Sequence, residues 1–182
     1  IITTSGGGAL VSKHIHTKEK AIFLATQAKE AGLEYTHKTV GYNYRMSNIL
    51  AGIGRGQMEV LETYVRLRRK NHQYYLEHLN DIKNIRFLKE PEGFVSNRWL
   101  SCIQLSSQNM RDQLLMLLQE HNIEARPSWK PMHLQPVFKD YPSYLNGVSE
   151  HIYKTVLCLP SGSNLTTKER NRIVTTIRSY FG

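Results

Sequence analysis

Apolar positions recur at three- and four-residue spacing between Ser47 and about Leu79: Leu50, Ile53, Val60, Leu61, Tyr64, Leu67 and Tyr74. That period predicts one long amphipathic helix. Gly52, Gly54 and Gly56 within it cost helix propensity. Together they predict either a bend or very close packing against another backbone. A shorter helical pattern covers Thr17–Ala31, with Thr17 as its cap, Ala21, Leu24, Ala28 and Ala31 along one face, and Gly32 as its stop. Before it, Ile1–Thr4 and Ala9–Ser12 read as two short strands flanking three glycines, and residues 33–46 read as loop.

The second half changes period. "NIRFLK" reads as a strand, "EPEG" as a turn and "NRWLSCIQL" as a longer strand. A helix follows over Asn109–His121 with Leu114, Leu115, Leu117 and Leu118 as its apolar side. Three prolines in "RPSWKPMHLQPVF" predict a stiff loop without regular structure. A short helix around Val148–Lys154 leads into the strand "VLCLP". Thr166 and Glu169 then form a capping-box signature for a last helix packed through Ile173, Val174, Ile177 and Phe181. Strand and helix alternate from residue 84 onward, enough for a compact α/β unit with its own core. Residues 1–46 hold too few strands for that, so they are expected to finish a larger sheet lying N-terminal to this chain.

Composition adds bounds. Of 182 residues, 40% are hydrophobic and 21% charged, the balance of a soluble folded chain and not of a disordered one. Cys102 and Cys158 sit in separate apolar stretches and read as buried, reduced thiols of a cytoplasmic protein. The net charge of +9 suits a polyanion or a phosphorylated small molecule without choosing between them. No stretch is long and apolar enough for a membrane span.

Several motifs could carry chemistry. "TTSGGG" lacks the spacing of a phosphate-binding loop and reads as a tight strand connection. "RLRRK" (Arg66–Lys70) spreads around a helix, which favours a solvated, partly inter-subunit face over nucleic-acid binding. His14 and His16 would share one side of a strand but have no third ligand at useful spacing, so no metal site is expected. In "GYNYRMSN", extended geometry sends Asn43 and Arg45 to one side, just before a helix N-terminus. That grouping suits either an anion site or an ordinary helix start. "ARPSWKPMHLQ" gathers Arg126, Trp129, Lys130, His133 and Gln135 on the proline-stiffened loop, which suits binding, with a structural Trp and an exposed His as the plainer alternative.

Taken in order, "IITTSGGGAL", "GYNYRMSNILAGIGRGQMEVLE", "RPSWKPMH" and "CLPSGSNLT" resemble the DegT/StrS family of pyridoxal-phosphate-dependent sugar aminotransferases over essentially the whole chain. "TTSGGG", "SNRWLS" and "RPSWKPMH" are most similar to members that aminate UDP-linked 4-keto-6-deoxy-N-acetylhexosamines for bacterial glycans. Many relatives carry Glu in the Gly-rich segment where this chain reads Ser5-Gly6, which weakens transfer of substrate from those members.

The resemblance implies the C-terminal portion of a fold-type I aminotransferase, an α/β fold. Residues 1–46 would end the large cofactor domain, 47–80 form the linking helix and 81–182 the small domain. It implies pyridoxal 5'-phosphate as cofactor and an amino-acid donor, commonly glutamate. It also implies a nucleotide-linked 4-keto-6-deoxy sugar as acceptor and a homodimer with shared active sites. The Schiff-base lysine is expected immediately before Ile1, so no catalytic residue is assigned here and the 182 residues alone are expected to be inactive. Asn43 would meet the cofactor phosphate of a neighbouring subunit, and Arg45 a phosphate or the carboxylate of the amino-acid donor. Arg126 or Lys130 would meet the diphosphate, and Trp129 and His133 would bound the sugar pocket. The competing reading is a non-enzymatic or regulatory module that uses its basic helix to bind a partner or nucleic acid.

Overall fold

The computed structural model describes residues 1–182, which form two compact units, Ile1–Glu62 and Thr63–Gly182. In the first, helix α1 spans Ile15–Ala25 and helix α2 begins at Asn48. The strands expected at Ile1–Thr4 and Ala9–Ser12 do not form. Neither segment has a paired neighbour within the chain, and an unpaired strand leaves its backbone groups without partners. His14 and His16 therefore do not share a strand: His14 precedes α1 and His16 lies in its first turn.

Helix α1 also departs from the expected Thr17–Ala31. It starts after His14, which offers no side-chain cap, and stops seven residues short of Gly32. Gln27 and Ala28 turn into positive φ, at 69° and 51°. The chain leaves the helix there because its backbone is taken by residues 42–44, as described below. Ala28 is the only buried residue of this unit. Leu10, Val11, Leu33, Tyr35, Val40 and Tyr44 all remain exposed.

Helix α2 runs without a break over Asn48–Leu79, close to the predicted span. The Ser47 hydroxyl accepts from the Leu50 N–H at 3.3 Å, capping its start. The glycines bring neither the expected bend nor packing against another backbone: a Cβ at Gly54 would lie 3.1 Å from the side-chain Cγ2 of Thr4, and one at Gly52 or Gly56 would meet nothing within 4 Å.

The second unit carries a four-stranded antiparallel sheet of β1 (Ile85–Phe87), β2 (Ser101–Leu105), β3 (Arg126–Pro127) and β4 (Val156–Leu159), in the order β1-β2-β4-β3. Helix α3 (Gln108–Glu120) crosses from β2 to β3, α4 (Val148–Thr155) feeds β4, and α5 (Thr167–Phe181) ends the chain. Ile103, Leu105, Leu157 and Leu159 share one sheet face. They pack with Leu114 and Leu118 of α3, Ile173, Val174 and Ile177 of α5, and Tyr75 and Leu79 from the end of α2. Each such aliphatic side chain contributes about 2 kcal/mol on burial. The core thus begins before residue 81, inside the long helix.

Thr166 and Glu169 form the predicted capping box, with both halves made. The Arg170 guanidinium is buried without a carboxylate. It donates instead to Asn71 Oδ1 at 3.1 Å and the Leu165 carbonyl at 3.0 Å, joining α5 to α2.

Two expectations here need correction. "NRWLSCIQL" is strand only from Ser101, because Arg98 sits at φ 49° and the Trp99 N–H turns back to Asn97 Oδ1. "RPSWKPMHLQPVF" is not devoid of regular structure. Arg126–Pro127 pairs with β4, and 3-10 turns form at Met132–Leu134 and Pro136–Phe138. Proline blocks donation but not φ near −60°, which these turns use.

Candidate functional site

Asn43 is placed by backbone pairing. The Tyr42 N–H donates to the Leu24 carbonyl at 2.7 Å, Gln27 N–H to the Tyr42 carbonyl at 3.0 Å, and Tyr44 N–H to the Ala25 carbonyl at 3.0 Å. Thr26 and Asn43 face each other across this antiparallel bridge. Gly41 makes the approach possible: a Cβ there would be driven into the Gln27 carbonyl carbon and the Ala28 nitrogen. Sequence reading missed Gly41, whose only signal is a glycine set before the alternating "YNYR".

The alternation itself is realised. Tyr42 and Tyr44 stack, ring centroids 5.0 Å apart. Asn43 and Arg45 both line a hollow of about 590 Å³ with Gly7, Gly8, Tyr44, Met46 and Leu50. Gly7 holds φ 111°, a conformation open to glycine and strained for other residues. Both polar side chains are exposed and uncommitted within the chain. A phosphate monoester needs N–H donors and a cation around several oxygens. The Asn43 amide and the Arg45 guanidinium, on residues that line the hollow with Gly7 and Gly8, are donors of that kind, so these residues fit the phosphate of the cofactor that the resemblance implies.

In the second unit the structure groups Arg126 and Trp129 with a residue not singled out earlier. Trp99 stacks on Trp129 at 5.5 Å and 25° between planes, and the Arg126 guanidinium lies 5.8 Å from the Trp129 ring. Trp129 is 63% exposed, so much of this aromatic surface faces outward. Trp99 is held from below: Arg68 Nη1 donates to its carbonyl at 2.6 Å. Glu90 accepts from Arg69 Nη1 at 2.9 Å and from the Ser96 N–H, with Arg98 3.8 Å away. The Arg69 bond first, then the Ser96 N–H, hold the Glu90 carboxyl down at about 2. The basic run is thus partly spent on fixing the Trp99 loop, which sequence spacing could not show.

Lys130 follows Trp129 and is exposed, with only its carbonyl engaged, by Gln135 at 3.5 Å. His133 stands apart from the stacked pair. Its Nε2 bonds Glu150 at 3.0 Å with 16% side-chain exposure, which ties the loop to α4. It also lines a hollow of about 340 Å³ with Met132, Phe138, Tyr141, Tyr144 and Leu145. The imidazoles of His14 and His16 stack on one another at 5.4 Å.

Residues 1–178 match the DegT/DnrJ/EryC1/StrS aminotransferase family. The chain is 44% identical, over its whole length, to 48% of EpsN of Bacillus subtilis, whose name carries a provisional pyridoxal phosphate-dependent aminotransferase assignment. It is 30% identical over 99% of its length to half of a GDP-perosamine synthase of Vibrio cholerae. Helicobacter pylori PseC, an aminotransferase of pseudaminic acid biosynthesis, superposes on 99% of the chain with a TM-score of 0.85 at 21% identity, covering half of that structure. The chain spans about half the length of the curated relatives it matches.

Proposed function

Because the chain belongs to the DegT/DnrJ/EryC1/StrS aminotransferase family, whose cofactor is pyridoxal phosphate, we propose that the whole protein moves an amino group from glutamate to a nucleotide-linked 4-keto-6-deoxy sugar in bacterial glycan biosynthesis. The observation that carries this reading is the convergence of Asn43, Arg45, Gly7 and Gly8 on one hollow. When bound, pyridoxal phosphate serves as amine carrier and electron sink for the proton transfers.

This chain's residues contribute binding and orientation. The Asn43 amide and Arg45 guanidinium hold the phosphate dianion and so fix the ring it belongs to. Arg126 or Lys130 meets the diphosphate of the sugar nucleotide, Trp129 offers its exposed face to the apolar side of the sugar, and His133, bonded to Glu150, bounds the sugar pocket. Large apolar side chains left exposed in residues 1–62, among them Leu33, Tyr35 and Val40, support burial against the rest of the whole protein and a second subunit, with the phosphate contact made across a homodimer. The 182 residues alone are proposed to be inactive. The alternative of a nucleic-acid-binding helix is disfavoured by the engagement of Arg68 and Arg69 with the Trp99 loop.

The donor is tested on the full-length protein loaded with pyridoxal phosphate. Glutamate should change the visible absorption of the bound cofactor within seconds, whereas alanine at the same concentration should not. An unchanged spectrum with glutamate would contradict the proposed donor.

A further inference from the structure

The two cysteines, separated by 55 residues of sequence, are neighbours in the sheet. The β2–β4 register sets Cys102 directly opposite Cys158, with their Sγ atoms 3.5 Å apart. They lie on the face opposite Ile103 and Leu157, outside the apolar core cluster. Sequence reading treated them as isolated thiols; both are free but paired in space. Directly opposed residues on antiparallel strands have Cα atoms about 4.5 or 5.5 Å apart. Disulfides accept Cα separations of about 4.4–6.8 Å. Closure of this pair therefore needs side-chain rotation and no movement of either strand.

A second observation concerns access. Arg126 on β3 is the other cross-strand neighbour of Cys158. Cys158 and Arg126 both line a cavity of about 240 Å³, together with Leu100, Ser161 and Asn164. Cys158 is only 2% exposed, so this cavity, which it borders beside a guanidinium that favours the thiolate, is the route a small neutral oxidant would take to it.

We propose that Cys102 and Cys158 form a dithiol modification site that hydrogen peroxide converts to a reversible disulfide. The site is independent of the amination reading. The Cys158 thiolate attacks one peroxide oxygen; an S–O bond forms and the O–O bond breaks. The departing hydroxide takes up the proton that Cys158 has released, giving the first water. Cys102 sulfur then attacks the Cys158 sulfenic sulfur; the S–S bond forms and the S–O bond breaks. The hydroxide leaves with the Cys102 proton as the second water. Two thiols are oxidised and one peroxide is reduced to two waters. The hydrogen bond from Cys102, then the Arg126 charge, bring the Cys158 thiol below its ordinary value, while Cys102 is pushed up by its bond to Cys158 and by burial. Cys158 stands directly opposite Arg126 across the β3–β4 pair and borders the cavity, which makes it the attacking sulfur and Cys102 the resolving one.

The test uses the full-length protein treated with peroxide, then denatured, alkylated and digested with trypsin. The expected product is a cross-link between peptides 99–111 and 155–168, two hydrogens lighter than the sum of the free peptides and released by dithiothreitol. In Cys102→Ser the cross-link should vanish and Cys158 should advance to sulfinic acid. Arg126→Met should slow Cys158 oxidation at neutral pH about threefold or more. Recovery of both cysteines fully alkylated from the peroxide-treated wild type would overturn the proposal. So would sulfinic acid on wild-type Cys158 without the cross-link.

Discussion

The backbone of Asn43 is paired with that of Thr26 across an antiparallel bridge, and this pairing ends α1 at Ala25 and sets Asn43 at the edge of the hollow. Gly41 is the residue that lets the two segments meet. Gly41→Ala must displace residues 42–45, because the obstructing atoms are backbone. The expected result in the full-length protein is a loss of cofactor affinity of about tenfold or more, read by titration with pyridoxal phosphate. Wild-type affinity in this variant would separate the bridge from the cofactor site.

Asn43→Ala probes the amide itself and leaves the bridge intact. A hydrogen bond to a charged group contributes about 2 kcal/mol, near thirtyfold in dissociation constant. The loss should appear in the affinity for pyridoxal phosphate and much less in the affinity for pyridoxal, which lacks the phosphate. An equal loss for both ligands would contradict phosphate contact.

Trp129→Ala removes the outward member of the Trp99–Trp129 stack. The expected effect is a KM for the nucleotide sugar raised roughly tenfold, with the KM for glutamate unchanged. Steady-state kinetics with each substrate varied in turn provides the check; a rise confined to glutamate would place this surface elsewhere in the reaction.

His72 supplies a pH prediction. It is buried edge-on against Phe87, its Nδ1 lacks a partner, and burial first, then Arg98 and Arg69, bring its pKa down to about 4 from 6.5. Between those values the unfolded chain binds a proton that the folded chain refuses. Stability therefore falls as pH drops from about 6.5 to 4, by on the order of 3 kcal/mol. Glu90, held at about 2, adds a further loss below the ordinary carboxylate range. Urea midpoints measured across this range should decline in wild type and decline less steeply from pH 6.5 to 4 in His72→Phe. Equal slopes would remove His72 as the cause.

Much of this was legible where the local signal and the tertiary outcome agree. The period through Leu50–Tyr74 yields α2, and Thr166 with Glu169 yields the start of α5, because capping and amphipathic packing are written within a few residues. The alternation of "YNYR" is visible in the stacking of Tyr42 on Tyr44, while Asn43, Tyr44 and Arg45 all line the one hollow. The early end of α1 was not legible, since it is set by residues 42–44, distant in sequence from Ala25. Nor were the partnership of Trp99 with Trp129 and that of Cys102 with Cys158, because each depends on strand order and register. The first two strands failed for the opposite reason: their β-branched composition is real, but strand formation needs a neighbour.

The most direct measurement follows nitrogen. The full-length protein, saturated with pyridoxal phosphate, is incubated with 15N-glutamate and UDP-4-keto-6-deoxy-N-acetylglucosamine, and the nucleotide sugar is analysed by mass spectrometry. The account predicts a 15N-labelled amino sugar formed in equal amount with 2-oxoglutarate. An unaltered keto sugar, with cofactor bound and 2-oxoglutarate absent, would contradict it.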